Sequence, residues 1–416
     1  MTIHQDVTAG DLDIADARWL SELDGYLTEL QPTIIEVSRQ IHAKPEIRFE
    51  EHFAARLLTD TLQRHGFAVE HEVAGLKTAF AARLNRPGHG EGTRTSSVPT
   101  IAIFCEYDAL EGIGHGCGHN IIAAAGLGAA LATARWLRAH PEFPGDLVVI
   151  GSPGEEGGGG KSYLVDAGCL DGVDTAMMIH PTSENRARMA SLARVSLDVT
   201  FTGRAAHASA SPHDGINALD AVNLTHTAIG LLRQQVQPDT RIHGIVTDGG
   251  EAPNIIPERA AMRLFVRSPD TGYLHDRLLP AVENCARGAA LATGCQVEIT
   301  QYAPPYASMR TNEVLGRLCA GHLAHLGRTP MDELPSDGTG STDMGNVSEV
   351  VPSVHPCLQL VPGITLHTRE AAEAACGSEG DRAAVDGARL LALTGTQLYS
   401  APQLLTAVKA AFDPNR

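Results

Sequence analysis

Two kinds of β-strand are written into this chain, and they occupy separate stretches. Thr100–Glu106 (TIAIFCE), Leu147–Gly151 (LVVIG) and Ala176–His180 (AMMIH) are nearly unbroken apolar runs, the pattern of strands covered on both faces. Helical stretches separate them, an Ala/Leu-rich one over Ile121–Leu137 and a short one over Lys161–Ala167. Such strand–helix–strand alternation implies parallel pairing with helices on the faces. Val195–Phe201 follows the other rule: Val195, Leu197, Val199 and Phe201 are apolar, with Ser196, Asp198 and Thr200 between them. That spacing predicts a strand with one solvated face.

From Val195 onward the order reads strand, helix (about 216–236), strand (about 242–247), strand (about 260–267), helix (about 272–293) and strand (Gln296–Tyr302). This is the split β-α-β-β-α-β arrangement. The expected fold is therefore α/β: a main domain with a mostly parallel sheet flanked by helices, interrupted by an inserted α+β domain over residues 190–304. Residues 1–189 and 305–416 form the discontinuous main domain, re-entered at Pro304-Pro305, with Val354–Val361 as a last buried strand. An opening helix carries Leu23, Leu27, Leu30, Ile34 and Ile35 at helical spacing, and a second follows IHAKPEIRFEE; both are expected to pack on the sheet. Arg86–Pro99 is rich in Gly, Pro, Ser and Thr and reads as a surface loop.

Composition narrows the function classes. With 416 residues, two or three domains are expected at roughly 100–200 residues each. Lys plus Arg total 32 against 49 Asp plus Glu, a net charge of −17, which repels phosphate backbones and anionic lipid. Neither nucleic acid nor a membrane is an expected partner. The first twenty residues hold several acids and no apolar core, and no window nears the roughly 20 uninterrupted apolar residues of a membrane span, so no signal peptide or span is expected. Eight scattered cysteines lack the density of a disulfide framework, which points to a reduced, cytoplasmic setting.

Five stretches concentrate polar chemistry, four of them following or ending a buried strand, where open α/β sheets bind ligands. Gly112–Asn120 (GIGHGCGHN) sets His115, Cys117 and His119 on a Gly-rich turn, with Asn120 suited to cap the next helix. Gly151–Lys161 (GSPGEEGGGGK) holds adjacent carboxylates, Glu155 and Glu156. Its GGGGKS tail resembles a phosphate loop, but that frame needs glycine where Glu155 stands, and two anions oppose a phosphate. His180 ends a strand before proline, and His367 sits in a turn of Gly363–Arg369 (GITLHTR). The fifth stretch, in the inserted domain, combines Gly203–Ser209 (GRAAHAS), Pro253–Pro257 (PNIIP) and Arg267.

Taken singly, each has an ordinary reading: a tight turn, a solvated acidic turn, a core or surface histidine. Together, Cys117, His119, Glu156, His180 and His367 make a mixed S/N/O donor group suited to zinc or manganese. Five ligands exceed one tetrahedral ion, so two ions sharing a ligand fit better. Glu155, left without a metal, can then take a proton from water and return it to a leaving nitrogen.

These strings resemble the M20 metallopeptidase/amidohydrolase family. EYDALEGIGHGCGHN, GSPGEEGGGGK, MMIHP, TGRAAHAS and NIIP are most similar to its aminoacylase-1-like and aminobenzoyl-glutamate hydrolase branch, and the likeness runs from about residue 41 to about 370. It implies a catalytic domain interrupted by a ferredoxin-like lid through which subunits dimerise. It also implies a divalent-metal site, two ions per subunit, on Cys117, His119, Glu156, His180 and His367, with Glu155 as general base and acid. His207 matches a lid histidine that steadies the oxyanion in a neighbouring subunit, while Asn254 and Arg267 match positions that hold a substrate carboxylate. Better-known members use a His-x-Asp pair where this chain has Glu106-Tyr107-Asp108, so Asp108 is expected to orient a ligand. The implied reaction is hydrolysis of the amide bond of a small N-acyl amino acid, an aminobenzoyl-glutamate-like conjugate or a dipeptide. Two alternatives stay open: a thiol amidase using Cys117 and His119, and an inactive partner subunit that binds metal or ligand.

Overall fold

The computed structural model describes residues 17–84, 98–331 and 340–412; the first sixteen residues and most of the loop read at Arg86–Pro99 lie outside them. The chain divides into two compact units. Unit 1 comprises Met1–Ala190, Arg310–Leu334 and Asn346–Arg416, and unit 2 comprises Ser191–Met309 and Pro335–Gly345.

The chain begins α1 (Ala17–Ala43), α2 (His52–Arg64), β1 (Phe67–His71), β2 (Phe80–Leu84), β3 (Thr100–Glu106), α3 (His119–Ala139), β4 (Asp146–Ser152), α4 (Gly160–Asp166), β5 (Thr175–Met177) and β6 (His180–Thr182). It continues through β7 (Ala193–Thr202), α5 (Ala218–Leu232), β8 (Arg241–Asp248), β9 (Arg259–Ser268), α6 (Thr271–Tyr273), α7 (Leu279–Thr293) and β10 (Gln296–Gln301). Then follow α8 (Glu313–His325), α9 (Met344–Val350), β11 (Ser353–Val354), β12 (Cys357–Gln359), α10 (Arg369–Ala375), α11 (Ser378–Ser400) and α12 (Pro402–Ala410).

Unit 1 is built on a six-stranded sheet in the order β1-β2-β4-β3-β5-β11. The β4-β3-β5-β11 portion is parallel, while β1 and β2 add an antiparallel edge. Every residue of β3 is buried, as its unbroken apolar run requires. The expected strand at Ala176–His180 is two, β5 and β6, and the one at Val354–Val361 is likewise split into β11 and β12; β6 and β12 form a separate parallel pair. Helix α3 lies on β3 and β4. By length and composition it could cross a membrane, yet 94% of that apolar window is buried inside the protein.

Helix α1 departs from expectation. Its buried stripe of Leu23, Leu27, Ile34, Val37 and Ile41 packs on α3 and α11, with the sheet beneath α3. Each of those side chains contributes about 1.5–3 kcal/mol by leaving water. The three helices meet at Gly128, where a Cβ would lie 2.5 Å from Ile34 Cδ1 and 3.0 Å from Ala388 Cβ.

Unit 2 has a fully antiparallel sheet in the order β10-β7-β9-β8. Odd-numbered β7 residues Val195, Leu197, Val199 and Phe201 join Met262, Leu264 and Val266 of β9 in a core closed by α5 and α7. The opposite face is solvated over only part of β7: Asp198 is half-buried and bonds Arg263, whereas Arg194 and Ser196 are buried, Arg194 stacking on Tyr306 and Phe265.

Candidate metal centre

The turn leading into α3 rests on Gly118. Its φ of +79° starts the helix at His119, and a Cβ there would lie 2.5 Å from Pro181 Cγ. Asn120 therefore does not cap the helix as expected. Its side chain is buried and its Nδ2 donates to Ser38 Oγ (2.9 Å) and the Ala375 carbonyl (3.0 Å), tying the turn to α1 and α10.

Donor atoms of Cys117, His119 and His180 all lie within 4.8 Å of one another, as do those of Cys117, Glu156 and His367. Cys117 Sγ is 3.6 Å from His180 Nε2, and His367 Nε2 is 3.4 Å from Glu156 Oε1. Two groups of three thus share one sulfur. A third group of the same spacing joins His119 to Glu106 and Glu155, with His119 Nε2 at 3.0 Å from Glu106 Oε1 and 4.0 Å from Glu155 Oε2. Glu155 belongs to neither Cys117 group. His115 belongs to none of the three; it is buried beside His42, their rings 5.9 Å apart.

Neighbouring oxygens orient the imidazoles. His119 Nδ1 lies 2.8 Å from the Asp108 carbonyl and 3.0 Å from Asp108 Oδ1, so it carries a proton and holds the ring with Nε2 toward Glu106 and Glu155. Asp108 Oδ2 accepts from the Glu156 N–H (2.9 Å), linking the two turns. His180 Nδ1 donates to the Pro181 carbonyl (2.7 Å), leaving Nε2 toward Cys117. His367 differs: its side chain is 53% exposed, its φ is +63°, and its N–H donates to the Gly116 carbonyl (2.9 Å).

Burial disfavours charge on most of this cluster, with His119 the net exception. Burial pushes the Cys117 thiol and the Glu156 carboxyl up and His180 down to about 4. Burial also opposes a charge on His119, but Glu106, Cys117 and Asp108 outweigh it and carry that imidazole well above its ordinary value. Burial raises Asp108, and the charge and hydrogen bond of His119, the Glu156 N–H and the Lys161 charge together lower it.

His119 Nε2, Glu106 Oε1 and Glu156 Oε1 are buried and, apart from the close approaches of Nε2 to Glu106 and of His367 to Glu156, make no hydrogen bond among the described residues. Such atoms cost about 1–3 kcal/mol each when left unsatisfied. A divalent cation supplies the missing partner, and a converging S/N/O donor set around orphaned lone pairs fits one.

Sequence reasoning passed over Glu106. It closes β3, its Oε2 pairs with the fully buried Lys161, and its Oε1 faces His119. The available signal was an acid ending a buried run two residues before Asp108. Lys161, met first as the tail of a phosphate-loop look-alike, is this carboxylate's partner.

In unit 2, His207 and Asn254 are exposed and adjacent: the Ala208 N–H donates to the Asn254 carbonyl (3.0 Å), and His207 bridges Ile255. His207 Nδ1 accepts from the Ser209 and Ala210 N–H groups (3.3 Å each), which places the ring proton on Nε2. Arg267 is half-buried at the other end of β9, its Nη1 donating to Ser341 Oγ (3.0 Å). The eight steps of β9 from Arg259 to Arg267 span about 26 Å, so unit 2 does not bring Arg267 together with His207 and Asn254.

Residues 98–392 match the family model described as Peptidase family M20/M25/M40. The chain belongs to the M20 family. A mouse relative named Xaa-Arg dipeptidase is 36% identical over 97% of this chain and 94% of its own length. One of the polypeptides of the Escherichia coli p-aminobenzoyl-glutamate hydrolase is 34% identical over 70% of this chain and 62% of its own. Among solved structures, a putative aminohydrolase from methicillin-resistant Staphylococcus aureus superposes with a TM-score of 0.68 at 20% identity, covering 90% of this chain and 99% of that one. A dinuclear metal-binding M20 peptidase from Bacillus subtilis gives 0.60 at 21% identity, over 88% and 98%. As an M20 member this chain is a hydrolase of amide bonds, and neither the thiol-amidase nor the inactive-partner reading gains support from these relatives.

Proposed function

We propose that the chain hydrolyses the amide bond of a dipeptide, a small N-acyl amino acid or an aminobenzoyl-glutamate-like conjugate, using two divalent ions per subunit, zinc or manganese. One observation carries the reading: two donor triads share Cys117, and the Glu155 carboxylate, 4.0 Å from His119 Nε2, belongs to neither. Cys117, His119 and His180 would hold one ion, and Cys117, Glu156 and His367 the other. When bound, the ions polarise the substrate carbonyl and acidify water.

Glu155 takes the proton of the attacking water and delivers it to the leaving nitrogen. Asp108 keeps His119 in the tautomer whose Nε2 faces the cluster. His207, with its proton on the outward Nε2, is suited to donate to the developing oxyanion. Asn254 and Arg267 are the two positions proposed for a substrate carboxylate; because β9 holds them apart, one copy of unit 2 offers only one of them to a given carboxylate.

Unit 2 is read as a lid and as the surface of a homodimer. Strand β8 ends its sheet, paired only with β9, and exposes Ile245 and Val246; Leu231 on α5 is 71% exposed. An open apolar edge of that kind invites a second copy. All eight cysteines are free, which accords with a reducing cytoplasm.

The test is a panel of Xaa-Arg and β-alanyl dipeptides, N-acyl amino acids and aminobenzoyl-glutamate, assayed with zinc- and manganese-loaded protein before and after chelation. Turnover of at least one class, abolished by chelator and restored by metal, is expected. Turnover that survives complete metal removal overturns the metal reading and revives Cys117 as nucleophile.

A further inference from the structure

Glu51 is fully buried and belongs to none of the three donor groups. Its Oε1 accepts from the Phe49 N–H (2.8 Å) and the Gly154 N–H (2.9 Å), and its Oε2 from Thr78 Oγ1 (2.7 Å). Burial, and next the charge of Asp108, push this carboxyl up to about 7. The location is unfavourable for an acid, so its three bonds have to be what it serves. Without it, the buried Gly154 N–H and the partly buried Phe49 N–H lose their acceptor.

Gly154 immediately precedes Glu155, at a φ of +70°, on the turn that presents both carboxylates. The segment carrying Glu51 grips that turn at further points. Phe49, itself at φ +66°, fills the space where a Cβ on Gly154 or Gly158 would come within 2.8 or 2.5 Å of its ring. Arg48 Nη1 donates to the Glu156 carbonyl (3.0 Å). The same segment holds the other acidic turn, the Glu46 carbonyl accepting from the Ala109 N–H (2.8 Å), one residue past Asp108.

We propose that Glu51 is a positioning residue for the hydrolysis: by accepting the Gly154 N–H it fixes the turn from which Glu155 and Glu156 project. This rests on Glu155 being the proton carrier. A shift of about 1 Å in a reacting group costs on the order of a hundredfold in rate, so a loosened turn should register in turnover.

The experiment compares Glu51→Ala, Glu51→Gln and Glu51→Asp, alone and combined with Glu155→Gln, on the panel substrate turned over fastest, with metal content and melting temperature measured for each. Glu51→Ala is expected to lower kcat at least about thirtyfold with KM within about threefold and metal content unchanged. Glu51→Gln, whose amide oxygen still accepts from Gly154, should stay within about threefold of the parent. In the Glu155→Gln background, Glu51→Ala should cost almost nothing further, because the two act as one unit. Losses that multiply, a loss confined to KM or metal content, or Glu51→Gln as damaging as Glu51→Ala overturns the proposal. Should Glu51→Ala fail to fold, Glu51→Asp, which withdraws the acceptor by one methylene, is held to the same criteria. Failure of the underlying reading shows separately, as Glu155→Gln alone retaining full turnover.

Discussion

In unit 1, His119 and His180 are buried, and each has its Nδ1 fixed by a carbonyl or carboxylate, whereas all five histidines of unit 2 (His207, His213, His226, His243 and His275) are exposed. The same side chain is thus set up for opposite tasks. A buried imidazole with a fixed tautomer is arranged before any ligand arrives, and its desolvation has been met in folding. An exposed one keeps its hydration and reaches a low-dielectric setting only when an occupant covers it.

That contrast can be broken by mutation. The largest effect is expected from Glu155→Gln, which should cut kcat at least about a hundredfold while metal content stays at the parent level. Metal analysis beside single-turnover rates checks this, and full activity would remove Glu155 from its role. A smaller loss, about tenfold to a hundredfold in kcat, is expected for His207→Gln, with the melting temperature unmoved because the side chain is exposed. A falling melting temperature with intact kcat would make His207 structural and erase the difference between the units.

The smallest effect concerns acid. Burial holds His322 down to about 4, its nitrogens near Thr394 Oγ1 (3.0 Å) and Gln397 Oε1 (2.8 Å), remote in sequence from the metal turns. An unfolded histidine titrates near 6.5, so the stability from keeping His322 neutral is complete above that pH and is lost as pH falls from 6.5 toward 4. Between pH 7.5 and 6 the loss is about 1 kcal/mol. Denaturant unfolding of parent and His322→Asn should show a flatter pH dependence in the variant, and identical slopes would refute the assignment.

Much of this was legible in the linear sequence because it depends on contrast. TIAIFCE and LVVIG stand out as buried strands, and the alternation over Val195–Phe201 stands out as an antiparallel one. Where contrast fails, the reading failed too. β1 (FAVEH) is short with only Phe67 buried, and the buried face of α11 is largely Ala, Gly and Thr, so neither announced itself. The residues of the two Cys117 groups stood out by chemistry, since Cys and His crowd a glycine turn. Glu106 and Glu51 were not, because a buried acid looks like any other until its partners are placed.

Cys117, at 7% exposure, is the residue that the two sulfur-containing donor triads share. Its sulfur is therefore a common point of failure. If those triads hold metal as proposed, an oxidant that carried it to a sulfinic acid would disable both positions in one irreversible event. The burial that holds the thiol protonated when no metal is bound is also its shield, and the enzyme's shelf life would follow how rarely that turn opens.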